Sequence, residues 1–379
     1  MRARVLSLLA ACGSSAAQPA VPKDLPESRG CRLPAARYGA GLHSVELSVD
    51  GASREYLLFL PTGYRHDEAS PLWIVAPGAY ETAWRFLHVS RLIAFAEKMK
   101  FAFAALEGAQ PAGMNVGRHA QPLPKLPDDV EYTKAVLRHA SGSVCVNMNR
   151  IRCTGYSRGA RFCSRLASEL SSFVKGIAPV AGLRYPSPNN ATWPMPIVAI
   201  HGTKDLINPY WGGGDPSYWR SSVPDAVKQW VKYNGCKRNR WVRKTKHVIL
   251  DEHFDCHDDA SVVLVMVDGG GHTWPGSHAF EAGTFGYTTQ EVSANDVMFD
   301  FFKWHPRKSV CRTAREGDAC HGAVVRAMQE GPDGRPEWSG RLTHSSSFED
   351  YQLLLHEYIL ADCARPCAPA PRPPAVEVV

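Results

Sequence analysis

Apolar and polar positions alternate twice early in the chain, over 44–49 and again over 55–60, with Asp50-Gly51 standing between the two runs. A period of two predicts strands with one buried face, and Asp-Gly between them predicts a hairpin. The pattern then changes. Short apolar runs at 73–76, 101–106, 149–154, 176–181, 197–200 and 262–267 read as buried strands. Between and after them, 87–99, 128–139, 160–170, 226–233 and 292–304 carry apolar residues at helical spacing. Strands alternating with helices predict an α/β fold, a mainly parallel sheet with helices on both faces. Ligands and reactive groups in such sheets gather at the carboxyl ends of the strands.

The pattern also divides the chain. Residues 1–20 (MRARVLSLLAACGSSAAQPA) combine two arginines, a short apolar run and small residues, which reads as a secretory signal. Leu9-Ala10-Ala11-Cys12 also suits a lipoprotein signal with Cys12 as the lipidated residue. The α/β pattern occupies 31–306. Residues 307–367 hold Cys311, Cys320, Cys363 and Cys367 around an expected helix at 348–359, a small Cys-rich module whose pairing the spacing leaves open. The Pro-rich 368–379 reads as disordered.

Composition narrows the partners. Of 379 residues, 44% are apolar and 21% charged, ordinary for a globular enzyme. The net charge of +6 is small, and the densest basic stretch, 237–246 (KRNRWVRKTK), reads as a solvated turn and edge strand. Nucleic acid is therefore not an expected partner, and no segment after the leader approaches the roughly 20 apolar residues of a membrane span. Eleven cysteines and the triplet Asn190-Ala191-Thr192, a candidate glycosylation acceptor, favour secretion.

Three strand ends carry candidate chemistry. CTGYSRGA (153–160) sets Ser157 in a G-x-S-x-G frame between an expected strand and an expected helix. Ser157 has two readings, a helix N-cap or a nucleophile on a strained turn between Gly155 and Gly159. The strand at 197–200 runs into His201-Gly202-Thr203-Lys204-Asp205, and that at 262–267 runs into Gly269-Gly270-Gly271-His272. Read alone, Asp205 is a turn residue and His272 a structural histidine. Together the three follow the chain order Ser, Asp, His of the α/β-hydrolase triad. A serine hydroxyl needs an imidazole to accept its proton, and the imidazole needs a carboxylate to hold its tautomer. His201 is the rival base, but its place beside Asp205 suits it better to ordering that turn. Backbone donors for an oxyanion are expected from the N–H of Arg158 and, in the loop APGAY (76–80), from that of Ala79. EHFDCHDD (252–259) mixes potential metal ligands without paired C-x-x-C or H-x₃-H spacing, so it reads as a solvated loop with Cys256 in a disulfide.

Four blocks, CVNMNRIRCTGYSRGA, HGTKDLINPYWGG, SVPDAVKQWVKYNGC and GGGHTWPG, resemble the secreted feruloyl esterase and polyhydroxybutyrate depolymerase-like family of carbohydrate esterases, over about 31–305. The resemblance implies an α/β-hydrolase that cleaves carboxylic esters through an acyl-enzyme, with Ser157 as nucleophile, Asp205 as acid and His272 as base. It implies no metal and no organic cofactor. PDDVEY (127–132) matches the acidic start of the helix before the elbow, and Cys236 matches a family disulfide position with Cys256 as its partner. Tyr80, Trp211 and Trp274 are candidate aromatic contacts to the substrate, with Trp274 reading equally as a packing residue. The substrate class so implied is a hydroxycinnamate ester of plant cell-wall polysaccharide such as xylan. Alternatives are a polyhydroxybutyrate or a short-chain or acetyl ester, and, in another class, a non-catalytic binding protein on a hydrolase scaffold. The chain departs from the family where Pro77-Gly78 replaces His-Gly in the first oxyanion loop, and where Arg158 and Arg161 flank the elbow.

Overall fold

The computed structural model describes residues 27–109, 113–117, 127–280, 282–305, 311–335, 338 and 341–367. The expected leader, with Cys12, and the Pro-rich tail lie outside these. The chain folds as two compact units, Met1–Lys308 and Ser309–Val379.

The first unit is built on one ten-stranded sheet. Its strands are β1 (Gly41–Val49), β2 (Ala52–Leu60), β3 (Ser70–Ala76), β4 (Ala102–Leu106), β5 (Val146–Tyr156), β6 (Ile177–Val180), β7 (Ile197–Gly202), β8 (Arg238–Arg243), β9 (Val248–Phe254) and β10 (Val262–Val267). They lie in the order β1-β2-β4-β3-β5-β6-β7-β10-β9-β8. From β4 to β10 all neighbours are parallel, while the β1–β2 and β8–β9 hairpins pair antiparallel at the two edges. The first hairpin turns at Asp50-Gly51, both at positive φ (50° and 78°), as a two-residue turn requires.

The helices are α1 (Ala83–Val89), α2 (Leu92–Met99), α3 (Asp129–Ser143), α4 (Arg158–Glu169), α5 (Val223–Asn234), α6 (Ala282–Phe285) and α7 (Ala294–Trp304). On one face of the sheet Trp73, Val75, Phe103, Val198 and Ile200 pack with Phe86 and Leu87 of α1 and Met298 and Phe301 of α7. Their strand neighbours Leu72 and Ile74 point the other way and are equally buried, on the face where α4 packs against β3, β5 and β6. Burial of both faces explains the near-continuous apolar runs of the central strands. A mainly parallel sheet covered by helices, with the strand order above and a strand–serine–helix turn after β5, is the α/β-hydrolase fold.

Two local expectations change and a third holds. The helix expected at 87–99 is two, because Ser90 Oγ donates to the Phe86 carbonyl (2.7 Å) and Arg91 takes φ 55°, a left-handed break. The loop expected at 252–259 begins as strand: Glu252 to Phe254 complete β9, and Glu252 is buried against Arg240 of β8. Two antiparallel partners, β8 and β10, hold this polar stretch extended where composition suggests a loop. The basic stretch at 237–246 holds edge strand β8 (Arg238–Arg243), mostly exposed, as expected.

All ten cysteines among the described residues are paired. Cys31–Cys145, Cys153–Cys163 and Cys236–Cys256 lie in the first unit. The second unit contains α8 (Ala319–Glu330) and α9 (Phe348–Glu357), closed by Cys311–Cys367 and Cys320–Cys363. Its own small core includes Val324, Trp338, Tyr351, Leu354 and Leu355. Among the described residues no helix is long and apolar enough to cross a membrane.

Candidate active site

Ser157 occupies the single residue between β5 and α4, with φ 54° and ψ −113°. A non-glycine residue adopts that conformation only when its surroundings enforce it. The enforcement is close packing. A Cβ at Gly159 would lie 2.0 Å from the Ala76 carbonyl oxygen, and one at Gly155 2.6 Å from the Gly159 carbonyl carbon. The two glycines thus let α4 begin hard against β3. The Ser157 N–H donates to the Val180 carbonyl (2.9 Å), and Cys153–Cys163 ties β5 to α4 across the turn.

The N-cap reading of Ser157 fails on geometry, since its side chain caps nothing in α4. Its Oγ lies 2.8 Å from Nε2 of His272 instead. His272 Nδ1–H donates to Oδ2 of Asp205 (2.7 Å). The structure therefore brings the three residues together in one hydrogen-bonded chain, all nearly buried, with Ser157 the most accessible at 7%.

Asp205 and His272 follow β7 and β10, which pair in parallel, so their loops leave the sheet side by side. Backbone bonds lace them: Thr203 N–H to the Val267 carbonyl (2.9 Å) and Lys204 N–H to that of Gly270 (2.8 Å). Oδ1 of Asp205 accepts from the N–H groups of Ile207 (2.9 Å) and Asn208 (2.7 Å). His201 Nε2 lies 2.8 Å from the Asn208 carbonyl and 3.2 Å from Asp205 Oδ2. Both neighbours are acceptors, so Nε2 carries the proton. His201 thus orders the Asp205 turn rather than facing Ser157. Burial works to raise the Asp205 pKa, but hydrogen bonds from His201 and His272 outweigh it and hold the carboxyl well below its usual range. The His272 imidazole is pushed down, first by burial and also by the Arg161 charge, with Asp205 opposing.

Tyr156, unremarked in the sequence, closes the arrangement. Its hydroxyl donates to the His272 carbonyl (2.7 Å), fixing the histidine loop to the strand that delivers Ser157. Only its place beside the motif serine could have drawn attention to it.

The backbone donors sit as follows. Arg158 is the first residue of α4, where a helix leaves its N–H without an internal partner. Its guanidinium turns aside, Nε donating to the Met114 carbonyl (2.6 Å). In the loop after β3, Pro77 has no N–H, and that of Gly78 is taken by Glu81 Oε2 (3.2 Å). Ala79 supplies the next amide. Of the aromatic candidates, Tyr80 and Trp211 are 79% and 76% exposed. Trp274 corrects the expectation: it is 1% exposed and packs edge-on against Phe86, rings 5.2 Å apart, so it is a core residue and not a surface contact. Cys236 and Cys256 join the segment after α5 to the segment after β9.

No family model matches the chain. It is 29% identical over 280 residues to NocK of Nocardia uniformis subsp. tsuyamanensis, a protein named as an esterase, covering 68% of this chain and 81% of that one. It is 26% identical over 238 residues to feruloyl esterase B of Piromyces equi, covering 58% of this chain and 42% of that one. The chain is thus similar to esterases related to the feruloyl esterases. The esterase is also similar to a solved acetyl xylan esterase from Aspergillus awamori, with a TM-score of 0.47 and 13% identity over 62% of this chain and 94% of that one. It is a carboxylic ester hydrolase, and an ester is the substrate its site must accommodate.

Proposed function

We propose that this esterase works through an acyl-enzyme on Ser157, and that hydroxycinnamate esters of cell-wall polysaccharide are its substrates. The observation that carries the mechanism is the unbroken chain from Ser157 Oγ through His272 to Asp205, at 2.8 and 2.7 Å. His272 Nε2 takes the hydroxyl proton as Oγ attacks the ester carbonyl. Asp205 holds the imidazole with Nδ1 protonated and stabilises the imidazolium. The developing oxyanion is received by the N–H groups of Arg158 and Ala79. His272 then returns the proton to the leaving alcohol, and water repeats the sequence to release the acid.

The substrate class is supported by the blocks around the three strand ends and by the kinship with feruloyl esterase B. Tyr80 and Trp211 are exposed rings suited to an aromatic acyl group or a sugar face. Five disulfides suit an oxidising compartment and support secretion. A fluorophosphonate probe tests the mechanism: we expect one label per chain, absent from Ser157→Ala. No label, or a label that survives that substitution, removes Ser157 as nucleophile and favours the scaffold-binding alternative. Methyl ferulate beside acetyl, short-chain and polyhydroxybutyrate substrates tests the class. Rapid polyester hydrolysis with negligible turnover of methyl ferulate would reject it.

A further inference from the structure

The helix that starts at the elbow carries a charge that ester cleavage itself does not require. Arg161 stands one turn after Ser157, its backbone N–H bonded to the Ser157 carbonyl (3.1 Å), and it is 6% exposed. Nε and Nη1 of its guanidinium are buried and have no hydrogen-bond partner among the described residues. Arg184, in the segment after β6, is bound to the same helix through its N–H and Ser164 Oγ (3.1 Å). Its Nε and Nη2 are likewise buried without a partner among the described residues. Neither guanidinium forms an ion pair there, although fifteen other pairs involving Arg, Lys or His are present.

What the two cations do touch is aromatic. The Arg161 guanidinium carbon lies 4.7 Å from the centre of the Tyr218 ring, and that of Arg184 5.3 Å from the Trp219 ring. These adjacent residues lie in the β7–α5 loop that also carries Asp205, and Trp219 stacks on His201 at 5.8 Å. Packing over a ring face compensates a guanidinium's charge in part but leaves its in-plane N–H donors unused. Burial, with Arg184 and Arg158 adding to it, pulls the Arg161 pKa down to about 9, and burial with Arg220 pulls Arg184 down to about 10. Two desolvated like charges, with free donors and no counter-ion, are a cost that a bound anion removes. The planar fork of a guanidinium matches a carboxylate, and the Arg161 charge is felt at His272, so that anion would sit beside the reacting bond.

We infer that Arg161 and Arg184 form a carboxylate-binding subsite beside Ser157, which selects esters carrying a second, unesterified carboxylate. That carboxylate can belong to the acyl part, as in the half-ester of a dicarboxylic acid, or to the alcohol part, as in a uronic acid acylated on a hydroxyl. The inference rests on the reading of Ser157 as nucleophile, and the test separates the two.

The measurement is the ratio of kcat/KM for an anionic ester to that for its neutral counterpart, after subtraction of the uncatalysed rate. The acyl arm compares 4-nitrophenyl hydrogen glutarate with 4-nitrophenyl valerate, and the alcohol arm compares O-acetylglucuronate with O-acetylglucose. We expect the wild-type ratio to reach about tenfold or more in one arm, as one charge-assisted pair supplies, and that arm locates the carboxylate. Arg161→Gln and Arg184→Gln should each bring the ratio towards one, while Arg161→Lys should retain part of it. Ratios near one in both arms of the wild type would overturn the subsite, as would ratios unchanged by both glutamine variants. The wild-type comparison decides even if a variant fails to fold. Fluorophosphonate labelling keeps the outcomes distinct: a normal label without anionic preference defeats only the subsite, whereas no label defeats the Ser157 reading.

Discussion

His272, the proposed base, sits where the surroundings oppose its protonation. Burial and the Arg161 charge lower its pKa, against the pull of Asp205. Because the base must be neutral to accept the Ser157 proton, the acidic limb of the kcat/KM profile should fall below the ordinary imidazole value of about 6.5. Replacing Arg161 with Gln removes a repelling charge, so the same limb should move to higher pH. A pH–rate profile of both proteins on a neutral ester checks the two signs; a limb at or above the ordinary value in the wild type would contradict the first. For Asp205, whose carboxylate serves two histidines and two backbone amides, Asn is the informative change. It keeps the shape but disturbs the imidazole tautomer, so kcat should drop by about 10⁴. His201→Gln should cost less, because His201 acts through the Asp205 turn and touches no reacting atom. Single-turnover rates would rank them.

Within the elements, the β5–Ser157–α4 turn concentrates the constraint. Gly159 has no alternative: its missing Cβ is the space in which α4 meets the Ala76 carbonyl. Gly159→Ala should lose the fluorophosphonate label together with stability, read by thermal unfolding. The disulfides bear differently on stability. Cys31–Cys145 spans 114 residues and Cys153–Cys163 only 10. On loop-closure entropy the first is worth about 5 kcal/mol and the second about 3 kcal/mol. Paired alanine substitutions should therefore destabilise more at 31 and 145. Those at 153 and 163 should weigh relatively more on activity, since that bridge braces the Ser157 turn. Denaturant unfolding and ester turnover, measured on both double variants, separate the two effects.

At the scale of the whole molecule, every residue of the candidate site lies within Met1–Lys308, while Ser309–Val379 has its own core and two disulfides. We expect a chain ended after Lys308 to hydrolyse a small soluble ester within about twofold of the full chain, as a self-contained unit should. A larger loss in kcat/KM would show that the second unit serves the site.

Periodicity in the sequence determined the central strands and the helices between them, though not β9 or the break between α1 and α2, because burial on both faces of a parallel sheet leaves little freedom in which residues are apolar. It also determined the three candidate residues, because a nucleophile turn and two strand-end loops must each announce themselves in glycine, acid and base at fixed places. The tertiary structure decided what depends on partners remote in the chain. Whether Ser157 caps a helix or faces His272 was settled by a residue 115 positions away. His201 ends strand β7 and His272 follows β10, and only the folded contacts show that His272 reaches Ser157 while His201 turns to Asp205 and Asn208. Trp274 reads as either a substrate contact or a packing residue until its packing on Phe86 places it in the core. The sequence marks Arg161 only as a departure beside the elbow and does not mark Arg184; burial without a counter-ion is a property of the folded molecule alone.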